Sequence, residues 1–385
     1  MRKPWWAVLG IVVLAAGLGS WRVCSARTEA QHQRSEAMTK NLLSKQKSYP
    51  VGRFLVDLPW ASDDLSWVAA RNGAGSYIEI SQVGLEEARR IVEARAEEWR
   101  AKRFDPEEDP QQSPLLERLV ESRRVPNTWV LFFWQLDYAK IDSLKCEAFH
   151  WQKGRLFKFK RWGGEYSSGE PGRAEVVRRL EALFGSLQVQ DPGTIPVEPG
   201  FCFEGTIMRG SPTADESGEQ VTVRFGLRNH PDVSIVLRIY TNDRKELDPP
   251  LLELHRRQMA DLRREMPWGS VKELRVRESR DVNGLEGQET ALRIRCPAGH
   301  DYYNLSWGSQ GRMLDLYAPW ILLEMNVGSA PDEETVMPPS LDEATILKVW
   351  DSIVDSLRIR PTGSKATADR VPPKEAPGGR PAVQP

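Results

Sequence analysis

The sequence predicts an α+β fold with two similar domains, each an antiparallel sheet packed with helices, related by an internal duplication. Three observations predict it: short β-prone segments fill most of the chain, amphipathic helices separate them, and the same order of elements occurs twice. With 385 residues, the chain is long enough for two ordinary domains and flanking segments.

Each half contains one helix with an apolar stripe. In the first half, apolar residues recur at helical spacing at Leu85, Ala88, Val92, Ala96 and Trp99. In the second half, the same spacing occurs at Leu252, Met259, Leu262 and Met266. Such a stripe buries one face of a helix against a sheet, so we expect one such helix in each domain.

Aromatic runs and alternating apolar residues mark the strands. The segment Trp129–Trp134 is rich in β-prone residues and predicts a central strand. A turn entering a strand is predicted within Trp151–Phe159 and again within Trp307–Leu316, because each contains Gly-Arg followed by apolar residues in alternation. Each half then closes with a helix that runs into a strand, at Ser186-Leu187 and at Ser356-Leu357. Three matches in the same order favour duplication over chance.

The first 26 residues predict a signal anchor or a signal peptide. Two basic residues precede the uncharged run Pro4–Trp21, which is near the lower limit of length for spanning a bilayer. Tryptophans at both ends of this run suit the membrane interface. A cleaved signal peptide is the rival, with Cys24-Ser25-Ala26 as its cleavage pattern. In either case we expect export, and residues 4–21 are the predicted inner-membrane anchor.

Changes in composition predict the remaining boundaries. Residues 27–48 are polar and predict a stalk, residues 49–190 predict a first domain, and residues 191–360 predict a second domain that opens with a turn-rich linker. Residues 361–385 are rich in proline and glycine and contain few large apolar side chains, so we expect a disordered tail.

Charge and aromatic content narrow the possible partners. The chain has 53 Lys+Arg and 54 Asp+Glu, a formal net charge of −1, so no basic field favours nucleic acid. Most of the 14 tryptophans are expected in aromatic cores, because several lie inside predicted strands. An exposed aromatic binding face is the alternative for the others.

Three cysteines lie in the predicted domains. An oxidising compartment would allow one disulfide, and Cys202 with Cys296 is the possible pair because both fall in the second domain. Cys146 is then a buried free thiol. Two further unpaired thiols are the alternative, and none of the spacings suits zinc.

No constellation of residues predicts catalysis, a cofactor or a metal site. The segment Trp307–Gly311 is nearest to a nucleophile elbow, but tryptophan stands where that motif needs its first glycine. His150 and His255 fit packed positions in a strand and beside a helix stripe. His300 with Asp301 is the remaining candidate acid–base pair, although neighbours in sequence need not meet in space.

The openings of the two domains carry a family resemblance. Val51–Pro59 (VGRFLVDLP) opens the first domain, and Gly200–Gly205 (GFCFEG) opens the second. Placed after an export signal and a polar segment, they make the chain similar to the type VI secretion immunity proteins that neutralise the fourth class of secreted lipase effectors. The resemblance extends over roughly residues 38–360.

This resemblance implies a periplasmic, non-enzymatic immunity protein whose two domains bind a phospholipase toxin and inhibit it. The toxin-binding residues are not implied, because immunity interfaces diverge with their toxins, and the resemblance assigns no role to the Pro-rich tail. Two other functions stay open: an envelope hydrolase with a nonstandard site near His300 and Asp301, and a structural envelope subunit.

Overall fold

The structure is a computed structural model that describes residues 29, 33–59, 66–71, 75–104, 111–134, 144–161, 170–191, 193–210, 218–241, 249–265, 270–330 and 336–362. The predicted anchor at residues 4–21 and residues 363–385 of the predicted tail lie outside this set. Within the described ranges, no helix is long and apolar enough to cross a membrane.

The first half contains a hairpin, a set of longer strands and two helices that pack on them. Helix α1 (33–44) comes first. It is followed by β1 (Gln46–Val51), β2 (Phe54–Pro59), β3 (Ser66–Arg71), β4 (Gly75–Gln82), α2 (Leu85–Ala101), β5 (Leu116–Glu121), β6 (Thr128–Trp134), β7 (Leu144–Gln152), β8 (Arg155–Arg161), α3 (Glu170–Ser186) and β9 (Leu187–Val189).

The second half repeats this order. Its elements are β10 (Gly200–Phe203), β11 (Thr206–Arg209), β12 (Glu219–Leu227), β13 (His230–Tyr240), α4 (Leu251–Glu265), β14 (Val271–Arg277), β15 (Gln288–Arg295), β16 (Asp301–Ser309), β17 (Trp320–Val327), α5 (Glu343–Ser356) and β18 (Arg358–Ile359).

Twelve of the described strands form one antiparallel sheet that runs through both halves. The first half contributes the order β3-β4-β8-β7-β6-β5, and the second contributes the equivalent order β12-β13-β17-β16-β15-β14. The halves meet where β3 pairs with β12, with Val68 opposite Thr222. The repeated order confirms the predicted α+β fold of two similar sheets with helices. The limits of the two domains, near residue 190, stay a prediction.

Two small sheets exchange strands between the halves. The hairpin β1–β2 of the first half pairs with β18 from the end of the second half. Reciprocally, the hairpin β10–β11 of the second half pairs with β9 from the end of the first half. An isolated bridge between Gly52 and Cys202 links the two hairpins. Each half is therefore completed by backbone hydrogen bonds from the other.

Helices cover both faces of the sheet. Successive residues of a strand point to opposite sides, so one apolar strand can pack against helices on both faces. In β6, Val130 and Phe132 join the main core, which includes residues of α3 and α5. Leu131, between them, joins a smaller cluster with Ala88 and Val92 of α2. Full burial of a side chain of the Val, Leu or Phe class stabilises the fold by about 1.5–3 kcal/mol.

The predicted helix stripes and aromatic cores are borne out by the described residues. Ala88, Val92 and Ala96 are buried in α2, and Leu252 and Met259 are buried in α4. Met266 of the second stripe lies outside the described residues. Of the described tryptophans, three are buried and the others are partly buried: Trp129, Trp307 and Trp350, then Trp67, Trp99, Trp134, Trp151 and Trp320.

The predicted stalk at residues 27–48 is wrong for its described C-terminal part. Residues 33–44 are helical and pack on the body, and β1 already begins at Gln46. The first part of the contact is polar: Ser35 Oγ donates to Asp342 Oδ1 at 3.0 Å, and Thr39 Oγ1 donates to Thr345 Oγ1 at 3.0 Å. Leu42 and Leu43, at the end of α1, pack on the main core. Because hydroxyl groups make the other contacts, the sequence of α1 resembles a solvated segment.

The turn and strand predicted within Trp307–Leu316 are also wrong. Strand β16 ends at Ser309, and β17 begins only at Trp320. Residues 310–319 form a loop between them, and its hydrogen bonds explain why no strand begins at Arg312.

Candidate interaction surface

The loop of residues 310–319 distinguishes the second half from the first. In the first half, the equivalent strands β7 and β8 are joined by the tight turn Lys153-Gly154, where both φ angles are positive, 47° and 79°. Such a turn matches the twist of the two strands. A two-residue turn is therefore enough to connect the strands at this place, and the longer loop of the second half is an addition to the fold.

Side-chain and backbone hydrogen bonds hold this loop in one conformation. Asp315 Oδ1 accepts from the backbone N–H groups of Tyr317, at 2.9 Å, and Ala318, at 3.0 Å. Its other oxygen accepts from Arg312 at 2.7 Å. Burial would raise the pKa of Asp315, but these bonds outweigh it and hold the pKa below its ordinary value. The bonds use backbone donors that a strand would need, so the chain turns here.

Close packing of backbone on backbone also fixes the loop. Gly311 has a φ of +64°, which only glycine adopts without strain, and a Cβ there would collide with the carbonyl groups of Ala318 and Pro319. The backbone N–H of Arg312 donates to Ala318 O at 2.6 Å across the same gap. The two ends of the loop are thereby joined to each other.

Two large apolar side chains stand at the tip of this loop. Met313 is 52% exposed and Leu314 is 57% exposed. Leu314 also has a φ of 56°, in the left-handed region that non-glycine residues rarely occupy. Such a conformation costs about 1 kcal/mol or more, and a side chain that is more than half exposed returns little burial to offset it. The free protein thus gains little from leucine at this position.

A buried ion pair connects the loop to the region where the two halves meet. Arg53, between β1 and β2, lies with its guanidinium 5.7 Å from the ring centre of Tyr317. Its Nε donates to Glu219 Oε2 at 2.7 Å, and Nη2 donates to Gly210 O at 2.9 Å. Burial opposes the charge of Arg53, but Glu219 and Tyr317 outweigh it and raise the pKa of Arg53.

A second surface feature is a cleft between β5 and α3. It has a volume of about 430 Å³ and is lined by apolar and by charged residues: Val120, Phe132, Ala174 and Val177, then Arg118, Arg124, Arg173, Arg178 and Glu181. Acidic neighbours balance the arginines, as where Arg173 pairs with Glu117 at 2.5 Å and Arg178 pairs with Glu175 at 2.6 Å. The cleft is therefore only weakly basic.

A cluster of charged side chains lies inside the second half. Glu289 is fully buried and accepts from Arg280 at 2.6 Å and from Trp350 Nε1 at 2.7 Å. Arg280 also pairs with Asp355 at 2.9 Å. These bonds attach α5 to β15, so the cluster is a structural element of the core.

His300 and Asp301 do not face each other as an acid–base pair. His300 Nε2 lies 3.1 Å from the carbonyl oxygen of Ser329, and the carboxylate of Asp301 accepts from Arg295 at 3.1 Å. His255 is buried beside Glu273, with Nε2 3.3 Å from Oε1. Among the described residues, no group of three His, Cys, Asp or Glu side chains could hold a metal ion.

The predicted bond between Cys202 and Cys296 is not formed. Cys146, Cys202 and Cys296 are all buried, and among the described residues none of the three takes part in a disulfide. Cys202 lies in β10, at the junction of the two hairpins, whereas Cys296 follows β15 and its thiol lies 3.8 Å from Ser329 O. The two residues share a sequence half, but Cys202 lies in a small sheet and Cys296 lies just beyond the end of β15, so the structure agrees with the alternative in which they form no disulfide.

The sequence did not identify Met313 and Leu314 as surface residues, because the segment that contains them resembles a strand in which apolar and polar residues alternate. The signal for a loop was present nearby. Gly311, Asp315 and Pro319 lie within one short segment, and glycine, aspartate and proline together are typical of turns and loops.

Comparison with known proteins gives two family matches that follow one another along the chain. The N-terminal domain of Tle cognate immunity protein 4 matches residues 47–185, and the C-terminal domain of the same family matches residues 194–362. No curated protein matches the sequence.

Solved structures share the fold. The apo structure of immunity protein TplEi of the type VI secretion system (T6SS) from Pseudomonas aeruginosa is 21% identical, covers 82% of this chain and 98% of that chain, and has a TM-score of 0.66. The crystal structure of the Tle4-Tli4 complex is 22% identical, with 83% and 99% covered and a TM-score of 0.68. TplEi complexed with "L" peptide is 22% identical, with 82% and 99% covered and a TM-score of 0.61.

At these identities the structural likeness concerns the fold alone. The family matches cover most of the chain and confirm the resemblance seen at the two domain openings. The protein belongs to the Tle cognate immunity protein 4 family.

Proposed function

We propose that the protein is a periplasmic immunity protein that binds and inhibits a type VI secreted phospholipase toxin, and so protects the cell that makes it. The single observation that carries this proposal is the family match of both halves, residues 47–185 and 194–362. A complex of Tle4 with Tli4 is known on the same fold, which supports binding of a protein partner.

The proposed location rests on the N-terminal sequence. The uncharged run of residues 4–21 follows two basic residues, as in segments that direct export. In this proposal the run holds the protein in the inner membrane, and the folded body lies in the periplasm. Helix α1, at residues 33–44, packs on the body, so the spacer between membrane and body is short.

The proposed action is inhibition by binding, without catalysis. The residues that the sequence offered for acid–base chemistry have other partners: His300 faces a backbone carbonyl, and Asp301 faces Arg295. A standard protein–protein interface of about 1,600 Å² in total would suffice for tight binding.

The proposal is tested by producing the full chain in the periplasm together with a type VI secreted phospholipase from the same organism. We expect the two proteins to purify together in a 1:1 ratio, lipase activity to fall in proportion, and cells to survive a dose of lipase that kills cells without the protein. A folded, active lipase that neither binds the protein nor loses activity would overturn the proposal. If cells survive but lipase activity is unchanged, the protein protects them in another way, and inhibition of a lipase is not its function.

A further inference from the structure

We propose that helix α1 and the residues that follow it form a membrane-contact surface, in which Arg34, Lys40 and Lys45 bind the phosphate groups of anionic phospholipids. This surface orients the folded body on the inner membrane. The inference rests on one part of the proposed function, the membrane anchor at residues 4–21. It is carried by four features of the segment: its charge, the way α1 docks, the lack of carboxylates to neutralise it and its distance from the anchor along the chain.

Positive charge is concentrated near the N-terminal end of the described chain. Residues 33–47 contain four basic residues and one acidic residue, a net charge of +3, although the whole chain has a net charge of −1. The side chains of Arg34, Lys40 and Lys45 are exposed. Basic clusters beside a membrane anchor are attracted to anionic lipids, and the attraction extends over about one Debye length. The charge of this segment therefore favours an anionic bilayer as its partner.

Docking on the body fixes which side of α1 faces outward. Ser35, Thr39 and Leu42 are buried, and the two hydroxyl groups bond to the N-terminal end of α5. Their spacing of four and three residues places them on one face of the helix. Arg34 and Lys40 lie outside that face, and both are exposed. The basic side chains take no part in these contacts, which leaves them available for a partner.

Helix α5, on which α1 packs, does not neutralise these charges. Its carboxylates already have partners, as where Glu343 pairs with Arg293 at 3.1 Å and Asp355 pairs with Arg280 at 2.9 Å. Lys348 of the same helix is exposed, and it lies at helical spacing between the two residues that bond to α1 and β1, so it adds positive charge. Among the described residues, the exposed cations of α1 form no ion pair.

The chain before α1 is too short to hold this surface far from the bilayer. The uncharged run ends at Trp21, and α1 begins at residue 33. The intervening residues span at most about 40 Å even when fully extended. Such a tether gives the surface a high effective concentration at the membrane, so contacts that are weak singly suffice to orient the body.

Helix α4 is also rich in arginine, and it provides an internal comparison. Arg257 pairs with Glu253, and Arg264 pairs with Asp261 at 2.6 Å. Two of its arginines are thus neutralised within the helix, as is common on a solvated helix face. The cations of α1 lack such partners, which distinguishes α1 from an ordinary charged surface.

Photo-cross-linking in the full chain tests the contact with lipid. Ala37 is exposed on α1, three residues from both Arg34 and Lys40, and it is replaced by p-benzoylphenylalanine. The control carries the same group in place of Leu119, which is 37% exposed in β5, at one edge of the large sheet. Each protein is inserted into vesicles of phosphatidylcholine or of an equal mixture with phosphatidylglycerol. We expect lipid adducts at position 37 to be about 5- to 10-fold more abundant in the anionic vesicles, because anionic lipid attracts the basic cluster. Few adducts are expected at position 119 in either vesicle.

Removal of charge separates this surface from a general effect of net charge. One triple variant removes the proposed contacts: Arg34→Gln, Lys40→Gln and Lys45→Gln. It should lower the adducts at position 37 to their level in phosphatidylcholine, with unchanged thermal unfolding because these side chains are exposed. The matched control removes the same charge from exposed positions in β12 and α4: Arg224→Gln, Arg256→Gln and Arg263→Gln. It should leave the adducts at position 37 as abundant as in the wild-type background.

Three outcomes would overturn the inference. The first is equal adducts at position 37 in both kinds of vesicle, or as many at position 119. The second is recovery of the chain from the soluble periplasm without residues 1–26, since the tether would be absent. The third is a triple variant that keeps its lipid adducts but loses affinity for the lipase, which would assign the basic residues to the toxin. Lipase binding is measured without vesicles, so failure of the proposed function appears separately, as a wild-type protein that does not bind the lipase.

Discussion

Arg53 and Glu219 form a buried ion pair between the first hairpin and the first residue of β12, with Nε 2.7 Å from Oε2 and both side chains 4% exposed. Arg53 belongs to the first half of the chain and Glu219 to the second. The pair therefore joins the halves in the same region where Gly52 bridges Cys202. The guanidinium also fixes Tyr317, so one arginine serves both the junction and the loop of residues 310–319.

Replacement of Arg53 by methionine is expected to destabilise the protein by about 3–5 kcal/mol, because a buried carboxylate loses the cation that faces it. Urea unfolding followed by tryptophan fluorescence measures the loss. The double variant Arg53→Met with Glu219→Leu removes both charges and should recover much of the stability. A single variant with the urea midpoint of the wild-type protein would show that the pair contributes nothing to the junction.

A second prediction concerns the packing of glycine against tryptophan in the second half. An added Cβ at Gly287 would lie 2.5 Å from Cε2 of Trp307, which is fully buried and donates from Nε1 to Arg280 O at 2.9 Å. Because the indole has no room to move, we expect Gly287→Ala to cost about 1–3 kcal/mol by overpacking. Thermal unfolding gives the value.

Gly185→Ala is the matched control for that prediction. Gly185 lies in α3, and an added Cβ there would meet nothing within 4 Å. Alanine is the better helix residue by about 0.8–1.0 kcal/mol, so this variant should be slightly more stable than the wild-type protein. If both alanine variants shift stability in the same direction, the contact between Gly287 and Trp307 is not what decides the effect.

The sequence predicted those elements of the fold whose side chains repeat with a regular period. The stripe of α2 and the aromatic strand β6 were identifiable because burial of one face imposes a period on the residues. Strand β18, at Arg358–Ile359, was identifiable as a closing strand, but its pairing with β2 was not. Two residues contain no information about a partner some 300 positions away, and tertiary packing decides it.

The loop of residues 310–319 and helix α1 were harder to predict than the rest of the fold, each for a physical reason. Met313 and Leu314 follow a Gly-Arg pair as strand residues would, and only the hydrogen bonds of Asp315 turn the chain into a loop. Helix α1 was missed because hydroxyl groups such as those of Ser35 and Thr39 make part of its contact with the body. In both places polar bonds override the hydrophobic pattern, which is the main signal that a single sequence offers.

The three buried cysteines give a prediction about reactivity. Burial raises the pKa of the Cys202 thiol to about 11, and it also raises the pKa of Cys296. Since the thiolate is the reactive form, we expect almost no alkylation of Cys146, Cys202 or Cys296 by iodoacetamide at pH 8 in the folded protein. All three should react fully in urea. Peptide mapping of unreduced protein from the periplasm reports each residue, and a peptide that links Cys202 to Cys296 would contradict the free-thiol structure.

His150 makes stability depend on pH. The residue is buried in β7, where Thr128 Oγ1 lies 2.8 Å from Nδ1 and the ring stacks on Phe184 at 5.2 Å. Burial lowers the pKa of His150 from 6.5 to about 4, because the charged imidazolium is poorly solvated among these neighbours. In the unfolded chain the ordinary pKa returns.

As the pH falls below 6.5, His150 binds a proton in the unfolded state but not in the folded state, so stability is lost between pH 6.5 and about 4. The two pKa values correspond to about 3 kcal/mol at most. Urea unfolding of the wild-type protein and of His150→Gln, at pH 7.5, 5.5 and 4.5, isolates this contribution from that of the carboxylates. We expect the difference between the two proteins to shrink or reverse as the pH falls, since glutamine does not titrate. A constant difference across the three pH values would show that His150 is protonated equally in both states.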